Sequence, residues 1–123
     1  MTNQNVTVEG LPARKVTVEL FVGPQPMPEQ LEALKAAGFN SIINNRPDNE
    51  GGADQPSSAE LESAARAAGL EYRHLPVPPK DQADDDARQM FEHVNTLTKP
   101  IYAFCRTGNR AEALYRKGQQ VAG

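Results

Sequence analysis

Among its 123 residues the sequence contains one cysteine and no tryptophan. A single cysteine excludes an intramolecular disulfide and any zinc site built from several cysteines of this chain. The two histidines, His74 and His93, lack the spacing of metal ligands, so we expect no metal and no other cofactor. No apolar run approaches the roughly 18 residues that a membrane-spanning helix requires, so we expect no membrane partner.

An excess of positive charge is also missing. Thirteen Lys and Arg against 16 Asp and Glu give a formal net charge of −3. This acidic balance argues against nucleic acid as a partner. The first residues, Met1 to Asn5, lack the basic and apolar regions of a secretion signal, so we expect a cytoplasmic protein.

The chain divides into a short polar segment and a domain of ordinary size. Residues 1–19 are polar and rich in β-formers, and two similar stretches, 6–9 and 16–19, flank Gly10, which predicts an N-terminal arm or hairpin. Residues 20–123 are predicted to form the catalytic domain, since they are enough for one hydrophobic core.

From residue 20 onward, short apolar strands alternate with amphipathic helices. Ser57 and Glu60 form a capping-box pattern, and Gly38, Gly69 and Gly118 are expected to end helices. Strands are predicted near 20–22, 40–44, 71–75 and 101–104, and helices over 28–37, 57–68, 84–97 and 109–118. This alternation predicts an α/β fold with a mostly parallel, four- to five-stranded sheet and helices on both faces.

Cys105 follows the apolar strand 101–104 and precedes a predicted helix. In such folds ligands bind beyond the carboxyl ends of the strands. The loop amides of Arg106, Thr107, Gly108 and Asn109 and the helix amino terminus can form an anion-binding nest, and Gly108 permits a tight turn. Together with the charges of Arg106 and Arg110, this setting favours a thiolate, so we predict that Cys105 is a nucleophile and Arg110 its catalytic partner.

Other stretches resemble the phosphatase-like domain of the beta-lactamase hydrolase-like (BLH) family, which is also described as a sulfur transferase family. The matching residues are 21–26, 42–48, 55–57, 69–72, 75–77 and the cysteine loop, within residues 20 to about 116. The resemblance implies a dual-specificity-phosphatase-like fold. It also implies links to sulfide metabolism, with a persulfide dioxygenase or a sulfide:quinone reductase as partner.

The length of the cysteine loop bears on the reaction. Cys105 to Arg110 is a Cys-x4-Arg motif, as in rhodanese-type sulfurtransferases, whereas the related phosphatases have Cys-x5-Arg and would place the arginine at position 111, which is alanine. Because a smaller cradle suits one sulfane sulfur better than a phosphoryl group, this count favours sulfur transfer.

Three residues outside the loop are further candidates. Arg46 and Asp48 follow a strand end and are predicted at the substrate rim, although a structural turn in which Asp48 pairs with Arg46 or caps backbone amides explains them equally well. A phosphatase would also need a general acid, and Asp81 in the proline-rich loop is the candidate, since Asp84 to Asp86 are explained by the start of a helix.

We therefore predict a rhodanese-like sulfurtransferase that moves a sulfane sulfur from thiosulfate or a persulfide, through a Cys105 persulfide, to an external thiol acceptor. One alternative is a dual-specificity-like phosphatase that hydrolyses a phosphate ester through a Cys105 phosphocysteine. Another is a non-catalytic module that binds an anion or a partner.

Overall fold

A computed structural model describes residues 5–122, which form one six-stranded sheet with helices on both faces. The strands are β1 (Val6–Val8), β2 (Leu11–Lys15), β3 (Leu20–Gly23), β4 (Ser41–Asn44), β5 (Glu71–His74) and β6 (Ile101–Phe104). The helices are α1 (Leu31–Ala36), which follows a 3₁₀ turn at Pro28–Gln30, α2 (Ser58–Ala67), α3 (Asp84–Thr96) and α4 (Asn109–Ala122).

The sheet order is β1-β2-β3-β6-β4-β5. The four strands β3, β6, β4 and β5 pair in parallel, as predicted, whereas the β1–β2 and β2–β3 pairs are antiparallel. β6 lies between β3 and β4, and its last residue, Phe104, is in register with Gly23 and Asn44. The residues after these three strands therefore meet at one edge of the sheet.

The amino-terminal hairpin differs from the prediction in its second strand. Val8 pairs with Leu11, so Glu9 and Gly10 form a two-residue loop, and both have the positive φ (50° and 83°) that a type I′ turn requires. The stretch 16–19 is a turn instead of a strand, because the Thr17 hydroxyl accepts the backbone N–H of Leu20 at 3.0 Å. Residues 1–4 of the predicted arm lie outside the described residues.

Each face of the sheet has its own core. In β6 every side chain is buried: Ile101 and Ala103 pack under α3 and α4, while Tyr102 and Phe104 pack under α1 and α2. Burial on both faces explains why this strand is apolar without alternation. The apolar side of α3 is buried, with Ala87, Met90 and Val94 in the core that this helix shares with α4.

The predictions for helix ends were right for α2 and wrong for α4. The Ser57–Glu60 capping box is present, with Ser57 Oγ accepting the Glu60 N–H at 3.1 Å. Gly118 does not end α4, because it serves close packing: a Cβ at this position would lie 2.4 Å from the Ala87 carbonyl oxygen of α3. Among the described helices, none has the length and apolar character needed to cross a bilayer.

Candidate active site

The loops after β3, β4 and β6 converge at the carboxyl edge of the parallel strands. Cys105 directly follows β6, Arg46 follows β4 by two residues, and Gln25 follows β3 by two residues. The Asn45 backbone N–H donates to the Phe104 carbonyl at 2.8 Å, which ties the β4 loop to the strand that presents the cysteine. The sheet register therefore brings Arg46 to the cysteine loop, as the strand pattern predicted.

The sulfur of Cys105 lies under its own loop. The Gly108 backbone N–H donates to Cys105 Sγ at 3.0 Å, and the residue is only 1 % exposed. α4 begins at Asn109, so the positive end of its dipole lies beside the sulfur. One amide of the predicted nest is thus directed at Sγ, whereas the Asn109 N–H donates to the Thr107 hydroxyl at 3.3 Å.

Gly108 holds the loop in this compact form. Its φ is +101°, in the region that favours glycine, and a Cβ there would lie 2.8 Å from the Gly23 backbone nitrogen. The backbone of the cysteine loop therefore packs directly on the end of β3. Two effects raise the pKa of the Tyr102 hydroxyl: burial, which is the larger, and the charge of the nearby Cys105. The hydroxyl therefore stays protonated, and it donates to the Pro24 carbonyl at 2.7 Å.

Two arginines share one carboxylate next to the loop. Arg110 Nη1 and Nη2 donate to Glu50 Oε2 and Oε1 at 2.9 and 3.2 Å. Arg46 Nε donates to Glu50 Oε1 at 2.9 Å, and its Nη1 donates to Gln25 Oε1 at 3.2 Å. The side chains of Arg46 and Arg110 are only 10 % and 9 % exposed, whereas that of Glu50 is 25 % exposed. Two buried cations thus share a single anion, which is more accessible to solvent than either of them.

The charges of the two arginines control the ionisation of Glu50. Burial alone would raise the pKa of the Glu50 carboxyl, but the hydrogen bonds and charges of Arg110 and Arg46 together outweigh it and lower the pKa below its ordinary value. Glu50 is therefore an anion at neutral pH.

A polar cleft of ≈ 570 Å³ opens over this cluster. It is lined by Arg46, Glu50, Gly51, Pro79, Arg106 and Arg110. Three guanidinium groups therefore face one cavity, next to the loop that carries the thiol. Such a surface binds an oxyanion through several charge-assisted hydrogen bonds. Within residues 5–122, no group of three His, Cys, Asp or Glu side chains is placed to hold a metal ion.

Asp48, Asp81 and Asn109, which the sequence also predicted for the site, do not line the cleft. Asp48 accepts the Ser58 backbone N–H at 2.8 Å at the start of α2, which is the capping role that the sequence left open. Asp81 is exposed, with φ of 60°, two residues beyond the cleft residue Pro79. Asn109 Oδ1 accepts from Arg14 Nη2 at 2.9 Å, so its side chain joins the hairpin to the loop.

Glu50 was not found from the sequence. Its spacing of four residues from Arg46 was a weak signal, because that spacing brings side chains together in a helix and residues 47–52 are not helical. The loop is held by Gln55, whose side chain accepts the Gly51 N–H at 2.7 Å and donates to the Pro47 carbonyl at 2.9 Å. These contacts direct Glu50 to the arginines.

The lowered pKa of Glu50 makes stability depend on pH. Its stabilising effect is complete above the unfolded-state pKa of about 4.3 and is lost as the pH falls through the lower folded-state value. We expect Glu50→Gln to be less stable than the wild type at pH 7 by about 1.5–3 kcal/mol, with a difference that shrinks under acid conditions.

Urea unfolding of both proteins between pH 7 and pH 3 measures this difference. The matched control is Glu62→Gln, which removes an exposed carboxylate paired with Arg66 Nη2 at 2.6 Å on α2. A gap between wild type and Glu50→Gln that stays constant down to pH 3 would contradict the assigned ion pairs.

Known proteins resemble this chain in sequence and in fold. The family model of the phosphatase-like domain of beta-lactamase hydrolase-like proteins matches residues 12–122. A beta-lactamase hydrolase-like protein of Agrobacterium fabrum is 36 % identical over 111 residues, covering 90 % of this chain and 26 % of that protein. The corresponding protein of Xylella fastidiosa is 30 % identical over 108 residues, or 88 % and 25 % of the two chains. The chain thus spans about a quarter of the length of these curated relatives.

Solved structures with the same fold are described as phosphatases. A candidate phosphatase of Neisseria meningitidis superposes with a TM-score of 0.73 at 26 % identity, covering 89 % of this chain and 87 % of that one. The core catalytic domain of a PP-IP phosphatase from S. cerevisiae has a TM-score of 0.63 at 15 % identity, covering 95 % and 78 %. The second likeness establishes the fold alone, which is the dual-specificity-phosphatase-like α/β fold predicted from the sequence.

Proposed function

Because the chain belongs to the phosphatase-like domain family of beta-lactamase hydrolase-like proteins, we propose that it is a cysteine-dependent phosphatase acting on a phosphate monoester. The similar proteins support a phosphatase better than the sulfur transfer that we predicted from the length of the cysteine loop. The observation that carries the proposal is the cleft in which Arg46, Arg106 and Arg110 converge beside the cysteine loop. An ester phosphate has three non-bridging oxygens, which several guanidinium donors can bind together.

The short cysteine loop supplies fewer donors for a phosphoryl group, and Arg46 compensates for this. A Cys-x4-Arg loop has one residue fewer to surround a phosphoryl group than the loop of the related phosphatases. Arg46 comes from a different loop and lines the same cleft, so its guanidinium supplies donors that the cysteine loop lacks. We therefore assign Arg46 and Arg110 to binding of the phosphoryl oxygens.

The proposed chemistry has two steps. The Cys105 thiolate attacks phosphorus, the ester P–O bond breaks, and the leaving oxygen takes a proton from a general acid, for which Asp81 remains the candidate. Water then attacks phosphorus and breaks the P–S bond, which releases phosphate and restores the thiolate. Because Cys105 is 1 % exposed, substrate binding must also move the groups that cover the sulfur.

Sulfur transfer is the second candidate, and the Cys-x4-Arg count favours it. Ala111, which stands where a longer loop would have its arginine, belongs to the first turn of α4 and is fully buried in the core. In this reaction the thiolate attacks the sulfane sulfur of thiosulfate, sulfite leaves, and the persulfide passes its outer sulfur to an external thiol. The acceptor and any sulfide-oxidising partner enzyme are part of this candidate only.

Parallel assays with one protein preparation separate the two candidates. We expect release of p-nitrophenol from p-nitrophenyl phosphate and little thiocyanate from thiosulfate plus cyanide. Arg46→Gln lowers kcat/KM for the phosphate ester by about 10- to 100-fold, since it removes a charge-assisted contact with the anion. Arg66→Gln, which breaks an exposed ion pair on α2, is the matched control and keeps the wild-type rate.

Each result decides the matter. Thiocyanate formation without phosphate hydrolysis would replace the proposal by sulfur transfer. Absence of both activities in folded protein would contradict both and favour an anion-binding module. Phosphate hydrolysis that is insensitive to Arg46→Gln would remove Arg46 from the site.

A further inference from the structure

In the cluster of Arg46, Arg110 and Glu50, positive charges outnumber negative ones, and Glu50 is the residue that can move. Two arginine side chains that are about nine-tenths buried face the single Glu50 carboxylate, which leaves one net positive charge on the cluster. Glu50 is the most exposed of the three, and it precedes Gly51 and Gly52 in an exposed loop. It is therefore the partner that can leave while the two arginines stay in place.

A second feature shows that the cluster is incomplete as it stands. Arg110 Nε is buried and has no hydrogen-bond partner among residues 5–122. The Nη atoms of the same guanidinium are both occupied by Glu50, and Nη1 is also 3.3 Å from the Val77 carbonyl oxygen. A buried donor without an acceptor is unfavourable, so Arg110 can take a further hydrogen-bond acceptor.

We propose that Glu50 is a specificity-determining residue that occupies the anion site in the free protein and must be displaced by the substrate, so that the site admits dianions and rejects monoanions. A monoanion that displaces Glu50 only replaces one negative charge by another. A dianion neutralises the charges of both Arg46 and Arg110. The inference rests on the proposed function, since it concerns the substrate anion of that reaction.

Alkylation of Cys105 tests the proposal without any catalytic turnover. Iodoacetate and iodoacetamide react with the thiolate by the same displacement of iodide and have nearly the same size, but only iodoacetate is an anion. Because both reagents need the same access to the sulfur, the ratio of their rate constants reports how well an anion enters the site. Intact mass measures the adduct at the only cysteine of the chain.

We expect Glu50→Gln to raise the iodoacetate-to-iodoacetamide ratio by about tenfold or more, because a competing negative charge is removed next to two guanidinium groups. Glu62→Gln removes the carboxylate of the exposed ion pair between Glu62 and Arg66 and leaves the ratio unchanged. A general loosening of the fold would raise both rates together. An unchanged ratio in Glu50→Gln would therefore overturn the proposal.

A second measurement needs no variant. Sulfate and methanesulfonate are both tetrahedral at sulfur, but sulfate is a dianion and methanesulfonate a monoanion. In the wild type we expect sulfate to protect Cys105 from iodoacetamide at a concentration at least about tenfold lower than methanesulfonate, and in Glu50→Gln we expect methanesulfonate to protect as well. Equal protection by both anions in the wild type would contradict the proposal. These results are independent of whether a phosphate ester is turned over.

Discussion

A Cys105→Ser variant is expected to lose turnover by a factor on the order of 10⁴ while it keeps the wild-type fold. Serine has nearly the same size, and its hydroxyl oxygen can accept the Gly108 N–H that now reaches Sγ at 3.0 Å. A hydroxyl is not ionised at neutral pH, so without a general base it is a far weaker nucleophile than a thiolate. The large effect therefore comes from the chemistry of one atom.

Steady-state kinetics and thermal unfolding of the same preparations check this expectation. The unfolding midpoint reports whether the loop and core survive the exchange. If Cys105→Ser, with an unchanged midpoint, hydrolyses p-nitrophenyl phosphate at the wild-type rate, then Cys105 is not the nucleophile.

Gly108→Ala is expected to have the second large effect, on stability and activity together. A methyl group at this position lies 2.8 Å from the backbone nitrogen and 2.9 Å from the Cα of Gly23, which belongs to β3 and cannot rotate away. The clash and the positive φ together cost about 2–4 kcal/mol. Because the loop must shift to relieve the clash, kcat/KM falls about 100-fold.

Gly38→Ala is the matched control for this variant. Gly38 has a similar φ of +111°, but a Cβ there would have no heavy atom within 4 Å. It therefore measures the backbone cost alone, about 1–2 kcal/mol, and should leave kcat/KM unchanged. Equal losses of stability in the two variants, with full activity in both, would show that close packing of the loop on β3 has no role in the site.

The parts of the site that follow from local sequence were predictable. Cys105 follows an apolar strand, Gly108 permits a tight turn, and the two arginines of the loop have an evident electrostatic role. The approach of Arg46 was also predictable, because neighbouring parallel strands end at the same edge of the sheet. The strand-helix alternation likewise predicted the parallel strands, and the capping box at Ser57 predicted the start of α2.

Two of the three missed features depend on contacts between distant segments. Glu50 reaches Arg110, which is 60 residues away, only because Gln55 shapes its loop, and nothing in residues 47–52 indicates that path. Gly118 resembles a helix end in sequence and proves to be a packing position against Ala87. The stretch 16–19 has β-forming residues, but the Thr17 hydroxyl stabilises a turn there. In the first two cases a tertiary contact outweighs the local preference, and in the third a local side-chain hydrogen bond does.

In the proposed reaction the Cys105 sulfur forms a covalent bond to the phosphorus of the substrate. The most direct test is intact mass spectrometry of the wild type, quenched with acid during turnover of p-nitrophenyl phosphate, followed by peptide mapping. We expect an added phosphoryl group on the peptide that contains Cys105, and none in Cys105→Ser. Turnover with no adduct at Cys105, or the same adduct in the serine variant, would contradict it.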